Sequence, residues 1–413
     1  MTLRIRTFHN AMCVIETPDL KICCDGWTND GIMDGSWAVW PPCADLFERV
    51  GKVDIIWISH LHSDHCAPDF LRRYLARYPD TIIMVAKFKH NWLARRLTNE
   101  GIPHIVANRF ADGETTLACF PMDANENDID SALAVRWRNQ QIVNMNDCDF
   151  VPDHVARIKE FADDVTVAML PASGAGSWPH TFFGVGMELS DMCSQKSGLN
   201  LARLTAFRHA LSPKAVVPFA GSYALVGRHH YLNPYRGIVD PAILRIADGS
   251  VIAPADHGEG VLDCGTLQAT AERKEPYSAI RLAQFGLERA HWPYTYETGP
   301  MPPTAHLRGL LYRAAGNRAK YSGVNLDHWY CFQIDGEWLA LNTNRADSLP
   351  DRRKEVASLS PRTEIYIDPR YLHGLLTGIY NWGTAQGGSH FMSRRHGIGY
   401  VREVDDWLLG LHV

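Results

Sequence analysis

Hydrophobic residues occur over the first 260 residues in short runs separated by polar turns, a pattern that predicts strands. RIRTFHNAMCVIET and LKICCDGW predict two strands joined at Pro18–Asp19, and VDIIWISH predicts a buried strand with a polar end. TIIMVAK, TLACFPMD, VTVAMLPASGAG and AVVPFAGSY predict further strands, while ALAVRWRNQQIVNMND predicts a hairpin that ends at Asn144–Asp147. Helical spacing of apolar residues predicts helices in APDFLRRYLARY and HNWLARRLTNEG. The pattern indicates an α/β sandwich with polar clusters at strand ends, where functional groups usually lie.

The pattern changes near residue 265. QATAERKEPYSAIRLAQFGLERA predicts a charged helix, WYCFQIDGEWLALNTN a hairpin, and EIYIDPRYLHGLLTGIYNW a strand followed by a helix. We therefore predict an α/β domain over residues 1–264 and a smaller α+β domain over residues 265–413.

Composition excludes several classes of protein. A net charge of −5 gives no basic surface for nucleic acid. No apolar run approaches the roughly 20 residues that span a membrane, and MTLRIRTFHN lacks the apolar core of a signal peptide. The ten cysteines are scattered without C-x-x-C spacing, which favours reduced thiols over a zinc or iron–sulfur site. We predict a cytoplasmic protein that binds neither nucleic acid nor membranes.

The strongest chemical signal is the pattern H-x-H-x-D-H, directly after the predicted strand VDIIWISH. In a loop leaving a strand, His60 and His62 can point to one metal ion, while Asp64 and His65 turn towards a second ion close by. Imidazole and carboxylate groups bind zinc, iron and manganese, so the ligand types alone leave the metal open.

This segment resembles the metallo-β-lactamase superfamily over roughly residues 1–235. The hairpin ending in DGW at Asp25 and the motif IVNMNDCD also match that family's pattern. The resemblance implies a metallo-β-lactamase-like αββα sandwich in which Asp147 bridges two metal ions. It also implies a final histidine ligand after AVVPFAGSY, which is either His230, the preferred candidate, or His229.

One departure from the family changes the predicted chemistry. Hydrolases of the superfamily carry a further histidine ligand before the bridging aspartate, but CFPMDANENDIDSAL contains none. Its acidic candidates are Glu126, which we prefer, then Asp123, with Asp128 and Asp130 as further alternatives. A carboxylate in this place favours iron or manganese over zinc, and carboxylate-rich di-iron centres handle dioxygen.

The combination resembles the oxygen-activating di-iron branch of the superfamily, which includes CMP-N-acetylneuraminate hydroxylases and di-iron hydroxylases of antibiotic biosynthesis. The resemblance implies a monooxygenase that uses two iron ions and O2 to hydroxylate a C–H bond of a small molecule, with Asp147 and Glu126 at the reacting site. Because no Rieske-type cysteine–histidine cluster occurs, electrons are expected from an external ferredoxin or reductase. The alternative is a hydrolase with two zinc or manganese ions, which would cleave a phosphodiester, lactone or amide through a metal-activated hydroxide.

Two further segments are candidates for substrate contact. SGAGSWPHTF follows a predicted strand and places Trp178 and His180 in a glycine-rich loop, and RHHYLNPYRG adds Arg228. An arginine near the metals could pair with a carboxylate or phosphate. In the C-terminal domain, IYNWGTAQGGSHFMSRRHG could close over the active site.

Overall fold

The structure is a computed structural model that describes residues 2–122, 129–184, 186–219, 221–321, 327–345, 348–397 and 401–413. In chain order its strands are β1 (Arg4–Thr7), β2 (Cys13–Glu16), β3 (Lys21–Cys24), β4 (Trp37–Val39), β5 (Ile55–Ile58), β6 (Ile82–Val85), β7 (Ile105–Val106), β8 (Arg109–Asp112), β9 (Thr115–Pro121), β10 (Ser131–Trp137), β11 (Gln140–Asn144), β12 (Val167–Pro171), β13 (Phe182–Phe183), β14 (Ala215–Phe219), β15 (Tyr223–Leu225), β16 (Val261–Asp263), β17 (Gln268–Ala269), β18 (Trp329–Ile334), β19 (Glu337–Asn342), β20 (Asp351–Arg353), β21 (Arg362–Ile367) and β22 (Phe391–His396).

The α-helices are α1 (Leu46–Val50), α2 (Pro68–Arg77), α3 (Trp92–Asn99), α4 (Pro152–Phe161), α5 (Leu189–Leu211), α6 (Pro241–Ala247), α7 (Ala279–Glu288), α8 (Thr304–Tyr321), α9 (Pro369–Leu376), α10 (Trp382–Gly387) and α11 (Arg402–Leu409). Short 3-10 helices lie at Gly227–Tyr235, Thr295–Thr298 and Thr343–Arg345. No helix in the described part of the chain is both long and apolar enough to cross a membrane.

Two sheets pack face to face. Sheet A has the order β17-β16-β1-β2-β3-β5-β6-β7, and sheet B has the order β14-β12-β11-β10-β9-β8. Side chains alternate across each strand of sheet B, as strand geometry requires. On β10, Leu133 and Val135 join the core shared with sheet A, whereas Ala132 and Ala134 pack with α4 and α5. Both faces of sheet B are therefore buried.

Helices cover the outer faces of both sheets. Leu46 of α1, Phe70 of α2 and Leu93 of α3 belong to the same hydrophobic core as the strands of sheet A. On the other side, Val155 of α4 and Phe207 of α5 pack on sheet B. The layers are therefore helix, sheet, sheet, helix, which confirms the predicted αββα sandwich.

A third sheet, sheet C, forms the smaller C-terminal part. Its order is β13-β22-β21-β18-β19-β20, and its core is shared with α8 to α11. Strand β13 comes from the middle of the chain and pairs in parallel with β22. The predicted boundary at 264/265 falls between the paired strands β16 and β17. The two-domain division therefore stays a prediction.

Two element predictions are wrong. The run RIRTFHNAMCVIET is two strands, because the chain reverses at His9–Ala11, where Asn10 adopts φ 46° and the Met12 amide donates to the His9 carbonyl. The predicted charged helix is limited to α7. The residue before Pro276 is disfavoured in helical conformation, and the Ser278 side chain caps α7 by accepting from the Arg281 amide.

Candidate metal centre

The predicted ligands lie where strand ends of the two sheets meet. The loop that follows β5 carries His60, His62, Asp64 and His65, and the loop that follows β11 carries Asp147. Strand β5 pairs in parallel with β3 and β6, so its polar end lies at the edge where loops from these strands converge. The structure thus brings the H-x-H-x-D-H motif and Asp147 together.

His60 and His62 form what we call the first half-site. The Nε2 atom of His60 lies 2.9 Å from the Nδ1 atom of His62. Burial, followed by the charge of His65, lowers the pKa of His60 to about 4. Burial, followed by the charge of His60, lowers the pKa of His62 to about 4 as well. Both rings are therefore neutral at neutral pH, the form in which histidine binds metal.

Asp64 and His65 form the second half-site, and Asp147 lies beside it. The Nε2 atom of His65 is 3.2 Å from Asp64 Oδ2 and 3.3 Å from Asp147 Oδ2. His60, His65 and Asp147 each offer one ligand atom within 4.8 Å of the others. Ligands about 2.0–2.2 Å from one ion are roughly 3–3.5 Å from each other. His60, His65 and Asp147 are therefore close enough to share a metal site, and a second ion bridged by Asp147 stays a prediction.

The charge of this cluster also favours a cation. Burial by itself would lower the pKa of His65, but the carboxylates of Asp64, Asp147 and Asp25 outweigh it and raise that pKa well above its usual value. Burial would raise the pKa of Asp147, but the neighbouring His65 reverses this and holds it well below its usual range. Negative charge converges on His65 Nε2, the position expected for a metal ligand.

The carboxylate of Asp25 orients the ring of His65 by binding Nδ1, the nitrogen opposite the one that faces Asp64 and Asp147. This carboxylate is fully buried and accepts from His65 Nδ1 at 2.9 Å, from the Ser59 amide and hydroxyl at 2.8 Å each, and from Asn146 Nδ2. A carboxylate on Nδ1 fixes the tautomer in which Nε2 carries the lone pair for a metal. Sequence analysis assigned Asp25 to a family turn and missed this contact.

Asn10 fixes the other ligand of the second half-site. Its Nδ2 donates to Asp64 Oδ2 at 2.9 Å, and its Oδ1 accepts from the Gly221 amide at 2.9 Å. The left-handed turn at Asn10 makes this reach possible. Asparagine is one of the few residues that tolerate this conformation. The sequence signal for this turn was the polar pair His9–Asn10 inside an otherwise apolar stretch, where we predicted a continuous strand.

The acidic segment before β10 is only partly described. Glu126, Asp123 and Asp128 lie outside the described residues, so their role as ligands stays a prediction. Asp130 is described, and its Oδ1 lies 3.3 Å from Nδ1 of His60. That nitrogen faces away from the first half-site, because His60 meets His62 through Nε2. Nδ1 of His60 lies 2.9 Å from Ser59 Oγ, and Asp130 Oδ1 is buried without a hydrogen-bond partner in the described part of the chain, so the role of Asp130 as a ligand stays a prediction.

The two candidates for the final histidine ligand lie in the 3-10 helix Gly227–Tyr235. Nδ1 of His229 donates to the Ser389 carbonyl at 2.5 Å, and Nδ1 of His230 donates to the Gly227 carbonyl at 3.0 Å. Among the described residues, neither belongs to the group whose ligand atoms lie within 4.8 Å of one another. Their role as ligands stays a prediction.

The residues predicted to contact substrate occupy different environments. Trp178 is half-buried and packs edge-on against Phe182, with ring centroids 5.5 Å apart. His180 is buried and its Nε2 contacts Ser389 Oγ at 2.7 Å. Arg228 pairs with Glu297 at 2.5 Å, so its charge is already balanced. Contact of Trp178, His180 and Arg228 with a substrate stays a prediction.

The C-terminal part reaches the metal centre through its own loops. The Nε2 atom of His390 donates to the Met33 carbonyl at 2.7 Å, and the Met33 amide donates to Ser63 Oγ, inside the ligand loop, at 3.2 Å. A Cβ atom built on Gly383 of α10 would lie 3.0 Å from His62 Nε2. Residues of the C-terminal part therefore form one wall of the first half-site.

We expect Gly383→Ala to weaken metal binding by about tenfold, because its methyl group displaces the His62 ring from the first half-site. Competition with a chelator measures this affinity. Gly316→Ala in α8 is the matched control, since its Cβ meets nothing within 4 Å. Equal metal affinity in both variants would contradict the placement of His62.

Comparison with known proteins gives relatives at low identity. No protein-family profile matches the chain. A putative Rieske 2Fe-2S protein of Mycolicibacterium smegmatis is 27% identical over 230 residues, which cover 53% of this chain and 43% of that protein. The inactive cytidine monophosphate-N-acetylneuraminic acid hydroxylase of Homo sapiens is 25% identical over 235 residues, or 54% of this chain and 45% of that protein. The Pongo pygmaeus hydroxylase is 26% identical over 235 residues, or 54% and 39%. The chain thus spans less than half the length of these relatives.

Solved structures similar to this chain include proteins named as metal-dependent hydrolases, a hydroxylase, and the metallo-β-lactamase fold protein YhfI of Bacillus subtilis, which has a TM-score of 0.37 and 10% identity and covers 63% of this chain and 99% of that chain. The metallo hydrolase Igni18 of Ignicoccus hospitalis has a TM-score of 0.40 and 17% identity, covering 63% of this chain and 97% of that chain. A variant of the CmlA β-hydroxylase has a TM-score of 0.35 and 13% identity, covering 59% and 48%. The resemblance to CMP-N-acetylneuraminate hydroxylases predicted from the sequence is confirmed by these sequence relatives, at low identity and over about half of the chain.

Proposed function

We propose that the protein is a non-heme di-iron monooxygenase, which uses O2 and external electrons to hydroxylate a C–H bond of a small molecule. One observation carries the proposal: the segment CFPMDANENDIDSAL, in which hydrolases of the superfamily would carry a further histidine ligand, offers carboxylates and no histidine, and its described residue Asp130 lies 3.3 Å from Nδ1 of His60. The sequence relatives named as N-acetylneuraminic acid hydroxylases support the same reaction class.

The ligand set fits iron. His60 and His62 would hold one ion, Asp64 and His65 the other, and Asp147 would lie between them. A carboxylate such as Glu126 would make the first ion's environment richer in oxygen, which suits iron or manganese better than zinc. Iron in such a centre supplies the redox chemistry that dioxygen needs.

The protein's own residues hold the ligands and limit access of water. Asp25 and Asn10 fix the donor atoms of His65 and Asp64, so little reorganisation is needed when metal binds. Gly383 and the loop at His390 place the C-terminal part against the ligand loop. A wall of this kind limits the access of water and so protects a reactive site from side reactions. We propose that the substrate enters beside this wall and that a ferredoxin or reductase module supplies the electrons.

A zinc hydrolase is the second candidate function. His60, His62, Asp64, His65 and Asp147 offer only nitrogen and oxygen donors, and these also bind zinc. In that reaction the Asp147 carboxylate, 3.3 Å from His65 Nε2, would orient a water molecule for attack on a phosphodiester, lactone or amide. The two functions differ in metal content, which makes them separable.

Metal analysis after expression in iron-supplemented medium tests the proposal. We expect about two irons per chain with absorption in the near ultraviolet, and a lower iron content in Glu126→Ala, because that variant loses a carboxylate ligand. Asn127→Ala, in the same acidic segment, serves as the control. Two zincs per chain together with esterase activity would favour the hydrolase, and full iron occupancy with unchanged turnover in Glu126→Ala would refute this ligand.

A further inference from the structure

Helix α5 presents three hydrogen-bond donors on one face. Lys196, Asn200 and Arg203 are spaced by four and three residues, so they lie on the same side of the helix. All three lie under the glycine-rich segment 173–176 that leaves β12. Lys196 Nζ donates to the Gly176 carbonyl at 3.2 Å, and Arg203 Nη2 donates to the Ser173 carbonyl at 2.7 Å. We call Lys196, Asn200 and Arg203 the α5 donor face.

The α5 donor face has more donors than acceptors. Lys196 and Asn200 are each only 8% exposed. Within the described part of the chain, Asn200 Nδ2 and Arg203 Nε are buried without a hydrogen-bond partner. Leaving such groups unpaired in a buried place is unfavourable. The arrangement destabilises the protein unless something outside the chain supplies acceptors.

Positive charge also accumulates here. Burial, followed by the neighbouring charge of Arg236, lowers the pKa of Lys196 to about 7. Of the described carboxylates, Asp149 contacts Arg203 at 3.4 Å, and it is largely exposed. A buried ammonium that faces guanidinium groups is costly. An anionic ligand would balance this charge.

The α5 donor face lies next to the metal centre. Asp149, which contacts Arg203, is two residues beyond Asp147. Strand β12, which leads into the overlying segment, pairs in parallel with β11, which leads to Asp147. Gly176 in that segment is exposed, so the face is close to solvent.

We propose that the α5 donor face binds an oxyanion, a carboxylate or phosphate group, and that this group belongs to the substrate. Lys196 and Arg203 would supply charged donors and Asn200 a neutral one, a set that suits the several acceptor oxygens of such a group. The substrate's remote end would then be fixed while its reacting carbon faces the metals. The claim that the oxyanion belongs to the substrate rests on the proposed function. The claim that the α5 donor face binds an oxyanion does not, because that binding is independent of the metal in the centre.

Thermal unfolding and calorimetric titration of the full chain test the site, with inorganic phosphate and acetate as probes and chloride at equal ionic strength as reference. We expect phosphate or acetate to raise the melting temperature, since a ligand that binds only the folded state stabilises it. Lys196→Met should weaken that binding by about tenfold or more. Without the probe it should be at least as stable as the parent, because an unpaired buried charge is removed. The probe with the larger effect identifies the oxyanion.

A second variant, Asn200→Leu, should weaken binding of the probe without changing the charge of the face. The control is Lys214→Met, which removes a lysine from the exposed Lys214–Asp164 pair. A stabilisation that persists in both Lys196→Met and Asn200→Leu would place the probe on the metals and overturn the proposal. The proposal would also be contradicted if Lys196→Met were less stable than the parent without the probe and bound the probe with unchanged affinity, because Lys196 would then have only a structural role. Iron content is measured separately, so failure of the oxygenase proposal and failure of this site are distinguishable.

Discussion

Asp147→Asn is expected to reduce the metal content from about two ions per chain to one or fewer, and turnover by more than about 100-fold. The substitution keeps the size of the side chain but removes the charge that lies 3.3 Å from His65 Nε2. An amide cannot balance two cations, so the ions would lose their shared ligand. Elemental analysis of the purified variant, together with its ultraviolet spectrum, measures the loss.

The matched control for Asp147→Asn is Asp153→Asn, an exposed aspartate in the first turn of α4. It should keep the parent's metal content. Circular dichroism of both variants would establish that the fold is intact. A folded Asp147→Asn protein with two ions would show that Asp147 is not a metal ligand.

Asp25→Asn is expected to weaken metal affinity by about 10- to 100-fold without removing any metal ligand. Asp25 accepts from His65 Nδ1, Ser59 and Asn146, and an amide cannot accept all of these bonds. Its NH2 group would face a donor, and His65 would lose the carboxylate that fixes its tautomer. Asparagine is the right replacement because Asp25 has φ 40°, a left-handed conformation that asparagine tolerates.

Chelator competition measures the affinity of Asp25→Asn. Asp54→Asn is the control, since Asp54 accepts from the Lys21 amide at 2.8 Å at the opposite end of β5. Unfolding by urea should show that both variants lose some stability, because both remove a charged acceptor. A loss of metal affinity in both variants to the same degree would indicate general destabilisation and contradict the specific role of Asp25.

The C-terminal part packs against segments that surround the candidate metal centre. The consecutive residues Ser389 and His390 each contact the first part of the chain: the Ser389 carbonyl accepts from His229, and His390 donates to the Met33 carbonyl. Tyr371 adds a bond to Asp34 at 2.6 Å. These contacts involve buried polar groups, which must be satisfied for the protein to fold. The C-terminal part is therefore built into the wall of the site.

Much of the sandwich could be predicted from local pattern. The two apolar runs in ALAVRWRNQQIVNMND, separated by polar residues, predicted the β10–β11 hairpin and its delivery of Asp147, because β10 is buried on both faces, between two separate cores. The first hairpin was predicted as one strand, because apolar residues flank the turn at Asn10 and no longer run of polar residues marks it.

Helix α5 was missed for a different reason. Its buried side chains keep helical spacing but include a lysine and an asparagine among apolar residues, namely Met192, Lys196, Asn200, Leu204, Phe207 and Leu211. A hydrophobic pattern cannot reveal a stripe of this kind. The polar positions in that stripe are the ones that we propose bind an oxyanion.

The sequence by itself determined an α/β sandwich with His60, His62, Asp64, His65 and Asp147 at strand ends, because the hydrophobic period that marks strands and helices is a local property of the chain; the αββα layering followed from the resemblance to a known family. Tertiary structure alone decided which groups support them. Asn10, Asp25 and Gly383 come from distant segments, and their contacts with the ligand loop depend on how the sheets and the C-terminal part pack. Such contacts have no sequence period, so only the folded chain reveals them.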